Sequence, residues 1–234
     1  MLTLVLAEAA LEIVPKEIAS HPSVAKYARR RGKAPERVLL DRSYHHQAMR
    51  KLRDAHKRGR PDIVQLSLLA ALETPLNAEG LLSVYVHTLG GYVISVDPSV
   101  RLPRNYLRFV GLMEQLFEEG AVPPKSEKPL LAVRRQSFES LIVELSPTRV
   151  VGFSRLGKPA QLDELVKSLA SEEHPVVVVG GFPHGHFSQE VLQHLDELVS
   201  IDPEPLEAWV VVSRVVYEFE KALDLPRRRL FGEA

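Results

Sequence analysis

No cysteine occurs in the 234 residues. That excludes disulfides, thiolate nucleophiles and thiolate-held zinc or iron–sulfur centres, leaving only histidine and carboxylate side chains as metal ligands. Long apolar runs are lacking too: the longest, such as 175–179 and 208–212, stop far short of the roughly 18 residues needed to cross a bilayer. The N-terminus, Met1-Leu2-Thr3-Leu4-Val5-Leu6-Ala7-Glu8, has no positive start and reads as a strand rather than a secretory segment. A cytoplasmic chain with no membrane contact is expected. Net charge is also missing, with 30 Lys+Arg against 30 Asp+Glu. What is present is 45% hydrophobic residues, enough for one large domain or one domain with an appended lobe.

The zero net charge hides an asymmetry. From Lys26 to Arg60 there are thirteen Lys/Arg and three acids, Glu36, Asp41 and Asp54. Arg-rich segments suit phosphate, because the guanidinium fork donates paired hydrogen bonds to its oxygens; nucleic acid is the partner class this implies. The alternative is a solvated helix face with some ion pairing. A second basic group follows at Arg101, Arg104 and Arg108, which share a face if that turn is helical. The tail Arg227-Arg228-Arg229 follows Pro226 and reads as a disordered, nonspecific basic end.

Runs rich in Val, Ile and Leu at 2–6, 38–40, 82–87, 92–96, 149–153 and 176–179 are strand candidates. Helical periodicity is found at 45–58, 62–72, 105–119, 161–170, 188–198 and 207–223. The alternation predicts an α/β fold with a parallel sheet flanked by helices. The pair 82–87 and 92–96, separated by Leu89-Gly90-Gly91, predicts a β-hairpin. Residues 120–130, with Pro123, Pro124 and Pro129, have no period and read as a loop or linker, the best candidate for a boundary.

Three glycine- or proline-bearing segments follow strands. The run 176–179 leads into Gly180-Gly181-Phe182-Pro183-His184-Gly185-His186, ahead of a helix that Ser188 would cap. This is where open α/β sheets bind ligands. It is neither the dinucleotide fingerprint nor a Walker loop, and a tight turn without a ligand is the alternative. His184 and His186 have no third ligand near them in sequence, so no metal is expected. Gly152-Phe153-Ser154-Arg155-Leu156-Gly157 is one residue too long for a nucleophile elbow, which leaves a loop after a strand. The third segment is Ser200-Ile201-Asp202-Pro203-Glu204-Pro205-Leu206-Glu207-Ala208. Together the three would converge on one apolar-walled pocket. Arg60-Pro61-Asp62 opens a helix with Pro and Asp in the first turn; Asp62 either answers the helix dipole, fixes the Arg60 guanidinium, or serves as a base.

Taken together, Arg60-Pro61-Asp62, the stretch Ser83-Val84-Tyr85-Val86-His87-Thr88, the series Arg101, Arg104 and Arg108 with Gly111-Leu112-Met113, and the loop 180–185 resemble the nucleolar essential protein family. These are ribosome-biogenesis methyltransferases of the SPOUT superfamily, and the similarity runs from about residue 1 to 223. The resemblance implies a trefoil-knot α/β fold with a small β-hairpin extension. It implies one domain over 1–234, with an insertion near 60–120 that faces RNA and a cofactor-binding knot near 149–223. It implies S-adenosylmethionine as cofactor, with S-adenosylhomocysteine as product and no metal. The partners it implies are a small-subunit ribosomal RNA stem-loop, a second copy of the chain and ribosomal assembly proteins. The reaction is methylation of N1 of a pseudouridine. Carried over, the cofactor residues are Phe153, Gly180, Gly181, Gly185, Ser200, Ile201, Pro205, Leu206 and Ala208. The RNA-contacting residues are Arg60, Arg101, Arg104 and Arg108, with Asp62 orienting Arg60 or acting as the base. Transfer from a sulfonium to a ring nitrogen is an in-line displacement that needs alignment more than a nucleophile. The other reading is a noncatalytic rRNA-binding assembly factor of the small subunit that keeps the basic face and uses the glycine loops structurally.

Overall fold

The computed structural model describes residues 1–232; the last two residues of the single-domain expectation, 233 and 234, lie outside the described part. The chain opens with β1 (Leu2–Ala9), whose side chains are buried on both faces. Leu4 and Leu6 enter one core and Val5 and Ala7 another, the period-two alternation of a strand covered on both sides. There follow α1 (Lys16–Ala19), α2 (Pro22–Arg31), α3 (Arg42–Met49), α4 (Pro61–Leu72) and α5 (Pro75–Ala78). Next come β2 (Leu82–Thr88), β3 (Tyr92–Val96), α6 (Tyr106–Glu119), β4 (Ala121–Val122), β5 (Leu131–Arg135) and α7 (Phe138–Leu145). The last part holds β6 (Arg149–Pro159), α8 (Leu162–Ala170), β7 (Pro175–Gly180), α9 (Gln189–Leu192), β8 (Glu197–Ser200), α10 (Ala208–Ala222) and α11 (Leu225–Phe231).

Among the described residues all eight strands form one sheet in the order β4-β5-β3-β2-β1-β7-β6-β8. The five strands from β2 to β8 run parallel, and β3, β5 and β4 extend the sheet antiparallel from β2. The expected α/β sheet is therefore present, and its expected hairpin is the first step of a three-stranded extension. α4, α6, α8 and α10 supply the larger core on one face, while α7 and Phe187 close the other. α10 shows why it packs there: Ala208, Val211, Val212, Val215, Val216 and Phe219 are buried at helical spacing. A third core, with Val24, Tyr27, Leu40, Ala48 and Met49, builds a small lobe from α1, α2 and α3.

Several elements differ from the sequence pattern. The helix expected over 45–58 ends at Met49, and Asp54 takes a left-handed φ of 52°. The chain is redirected there because Lys57 and Arg58 are drawn inward by Glu8 and Glu12. Residues 38–40 form no sheet strand; Val14 N–H donates to Val38 and Leu40 N–H to Glu12, so this run pairs with the segment after β1. The helix expected over 188–198 stops at Leu192, because Asp196 accepts Val150 N–H through its side chain at 2.7 Å and donates its own N–H back to Val150 at 2.9 Å. That exchange swings 197–200 into the sheet as β8. Residues 101–104 are loop, so Arg101, Arg104 and Arg108 do not share one helical turn; α6 starts only where Asn105 accepts Arg108 N–H. The tail is helical, not disordered: Leu225 is buried and Arg229 pairs with Glu79.

Candidate functional site

The carboxyl ends of β6, β7 and β8 bring residues 153–155, 180–187 and 199–211 around a cavity of about 320 Å³, within the size range of small-molecule sites. Its apolar lining comes from Phe153, Val179, Val199, Ile201, Leu206, Val211 and, from the first turn of α4, Ile63. Arg155, His184 and His186 add basic or polar groups, and Asp202, Glu204 and Glu207 add carboxylates. Among the described residues no group of three or more His, Asp or Glu is arranged to hold a metal.

The walls are held by backbone approaches that few residue types allow. Val199 pairs with both Phe153 and Lys158 of β6, so the intervening residues bulge over it. A Cβ on Gly157 would stand 2.4–2.5 Å from the Val199 backbone; only glycine fits. The segment read as a loop after a strand is thus the continuation of β6 past a register shift. Gly185 has φ of 102°, a region L side chains rarely enter, and faces His56 and Lys57.

A buried carboxylate ties the 180–188 segment to the rest. Glu8, 5% exposed, sits at the end of β1 with φ of 50°. Its carboxylate accepts Lys57 Nζ at 2.8 Å and the Ser188 N–H at 3.2 and 3.3 Å. The Lys57 ammonium also lies 4.6 Å from the Phe182 ring centroid, a cation–π contact. Ser188 does occupy the N-cap of α9, but its side chain makes no capping bond. His87 Nδ1 faces the Glu8 N–H at 3.4 Å, and burial pushes the imidazole down to about 4, against the opposing pull of Glu8.

Beside this cavity Arg60 and Asp62 form a two-pronged pair, with Nε–Oδ1 at 2.8 Å and Nη2–Oδ2 at 2.7 Å. The Asp62 hydrogen bond holds the Arg60 pKa above its ordinary value, and Glu207 of the cavity lining acts on it in the same direction. Behind them Asp41, 4% exposed, accepts the Tyr106 hydroxyl and the Ser43 N–H. Burial and that carboxylate raise the phenol's pKa.

Of the residues singled out in the sequence, Phe153, Gly180, Gly185, Ser200, Ile201, Pro205, Leu206 and Ala208 all line the cavity. Gly181 does not; its N–H donates to Ala7 and its carbonyl accepts Ala10, splicing the segment to the end of β1. Arg60 and Asp62 stand next to the cavity without lining it. Arg101, Arg104 and Arg108 are exposed and do not line it. Arg104 bonds Glu73 at 2.9 Å, and Gln65 holds the Pro103 and Arg104 carbonyls. Sequence reasoning missed Glu8, Lys57, Asp41 and Tyr106. The one available signal was an acid closing the otherwise apolar run of β1.

A family model described as EMG1/NEP1 methyltransferase matches residues 4–220. The chain is 51% identical over 225 residues to the ribosomal RNA small subunit methyltransferase Nep1 of Thermococcus kodakarensis, covering 96% of this chain and 100% of that one. It is 48% identical over 215 residues to the protein of the same name from Staphylothermus marinus, covering 92% and 93%. Among solved structures, Archaeoglobus fulgidus Nep1 bound to S-adenosylhomocysteine superposes with a TM-score of 0.84 at 40% identity, covering 95% of this chain and 98% of that one.

Proposed function

The chain belongs to the EMG1/NEP1 methyltransferase family, and from that premise we propose that it methylates N1 of a pseudouridine in small-subunit ribosomal RNA with S-adenosylmethionine, in the course of ribosome biogenesis. The observation that carries this reading is the adjacency of two unlike features: a part-apolar cavity at the strand ends and a braced, half-exposed guanidinium beside it. The cavity's donor set suits a nucleoside joined to an amino acid. Phe153, Val179, Val199, Ile201 and Leu206 offer apolar walls to a purine. Arg155 offers a partner for a carboxylate, and Asp202, Glu204 and Glu207 are partners for an ammonium or sulfonium. The relative from Archaeoglobus fulgidus carries S-adenosylhomocysteine in a closely similar fold.

The cofactor supplies an electrophilic methyl group; what remains for this chain is to place a ring nitrogen in line with it and keep water out. Arg60 presents the N–H groups that Asp62 does not use to the RNA beside the target base. Asp62 orients that fork. Both of its oxygens are engaged by the Arg60 guanidinium, so orientation is its role. Ribosomal RNA is read where bases are unpaired, so the target is extruded from a loop, with Arg101, Arg104 and Arg108 on the flanking backbone. A trefoil knot and a homodimer belong to the same reading. The close approach of Gly157 to the Val199 backbone at the register shift of β6 is consistent with the first, and the exposed Leu66 and Leu107 on α4 and α6 are consistent with the second.

The test is methyl transfer from labelled S-adenosylmethionine to two stem-loops that differ only in carrying pseudouridine or uridine in the loop. Label on the pseudouridine RNA alone is expected, since the N1 of uridine is bonded to the sugar. Tight binding without label on either would favour a noncatalytic assembly factor.

A further inference from the structure

The thirteen cations between Lys26 and Arg60 divide into two sets. One set is bound to the protein itself. Arg31 and Lys33 meet Glu114 at 2.9 and 2.8 Å, Arg37 meets Glu118, Arg53 meets Asp54, Lys57 meets Glu8, Arg58 meets Glu12, and Arg60 meets Asp62. Arg42 donates to the Ala55 carbonyl. The other set has no carboxylate within ion-pair distance among the described residues and is exposed: Lys26, Arg29, Arg30, Arg50 and Lys51. Three of these, Lys26, Arg29 and Arg30, stand at i, i+3 and i+4 on α2, on one face. α2 contains no acidic residue. Its opposite face is fixed in the core of the lobe through Val24, Tyr27 and Ala28. Against Tyr27 lies the ring of Tyr44, stacked at 4.5 Å and itself 43% exposed.

We infer that this face of α2, together with the exposed Tyr44 of the same lobe, is a second RNA-binding surface, one that grips the strand leading away from the methylated loop. The inference rests on the rRNA methyltransferase reading. Unpaired cations and an exposed aromatic ring on one lobe are the composition that binds single-stranded nucleic acid, through phosphates and a stacked base. The segment that follows the lobe is tied to the cavity wall. His56 and Lys57 pack on Gly185, and Lys57 is locked to Glu8. Arg42 N–H donates to the Gly59 carbonyl, so α3, which carries Tyr44, starts next to Arg60. Of the lobe's carboxylates, Glu12, Asp41 and Asp54 already have partners, and Glu17 and Glu36 lie outside α2, so little opposes phosphate on that face.

The experiment compares the full-length wild type with the K26Q/R29Q/R30Q variant and with Y44A, using two RNAs: the minimal pseudouridine stem-loop and the same stem-loop with a single-stranded extension. On the extended RNA the triple variant is expected to bind more weakly. The slope of log affinity against log salt should also become shallower by about 2 to 3. Y44A should weaken the extended RNA by about tenfold. On the minimal stem-loop, affinity, turnover and S-adenosylmethionine affinity should be unchanged, and they show that both variants fold. Equal salt slopes for wild type and triple variant on the extended RNA would overturn the second surface while leaving the methyltransferase reading intact. Equal losses on both RNAs would overturn it too, because the face would then serve the loop itself. A wild type that binds and methylates neither RNA would sink the functional reading, and this inference with it.

Discussion

Asp62 takes two of the N–H groups of Arg60 in one plane, so the remaining donors point in a fixed direction. Asp62→Asn would leave the arginine charged but no longer clamped. We expect RNA affinity and turnover to fall about tenfold or more, measured by filter binding and single-turnover methylation. Full turnover together with full affinity in D62N would remove that role. Lys57→Met would strand Glu8 in an interior where it is 5% exposed. Removing one partner of a buried pair costs about 3–5 kcal/mol, to be read as a drop in the urea midpoint. His87 gives the pH response. Its folded-state pKa of about 4 lies below the ordinary 6.5, so the unfolded chain binds the extra proton. Stability is then unaffected above pH 6.5 and falls as pH drops from 6.5 toward 4, by about 3 kcal/mol in all. His87→Asn should flatten urea midpoints measured across that window. At this scale the sequence showed the residues whose type is itself the signal: glycines at strand ends and arginines in a series. Glu8 and Lys57 lie 49 positions apart, and neither is unusual until the fold brings them together.

Elements were legible where one physical rule governs a whole segment. α4, with Pro61 at its first turn and Asp62 beside it, α6 and α10 all fall within a residue or so of the boundaries that caps and periodicity imply. The failures are segments whose state is decided by a distant partner. β8 exists because Asp196 reaches Val150. β5 is a strand because β3 offers it an edge, and α11 folds because Leu225 is buried. α2 was hidden inside a basic run that reads equally well as a solvated face. Gly157 carries the prediction for this scale. In Gly157→Ala the added carbon would overlap the Val199 backbone, so the bulge of β6 must open and one wall of the cavity must shift. Loss of S-adenosylmethionine binding by calorimetry is expected, together with a destabilisation of several kcal/mol. Gly111→Ala, at a position with open space around it, is the control and should be silent or mildly stabilising, since alanine is the better helix former.

For the whole molecule, a net charge of zero conceals a surface divided by sign, with the α1–α3 lobe and the 101–108 segment basic. On the minimal stem-loop the four arginines Arg60, Arg101, Arg104 and Arg108 should give a salt slope of about −3 to −4. Arg104→Ala should contribute least to it, because Glu73 already neutralises part of its charge. Sedimentation is expected to return twice the 26.2 kDa chain mass, and Leu66→Glu to return one chain mass. Charge division and the parallel α/β class were readable from composition and alternation. The sheet order was not, because adjacency of β1 with β7 depends on pairing across most of the chain.

That adjacency has a bearing on how the protein is made. β1 leaves the ribosome before either of its neighbours in the sheet, and β2 can cover one of its edges as soon as Thr88 has emerged. Its other edge waits for Pro175, and at elongation rates of about 5–20 residues per second the delay is on the order of ten seconds. Through that interval an eight-residue strand, apolar on both faces, stands with one row of amides open. Such an edge is a template for pairing with other nascent chains. Until the last quarter of the chain arrives, that open edge is the part of the nascent protein most exposed to pairing with its neighbours.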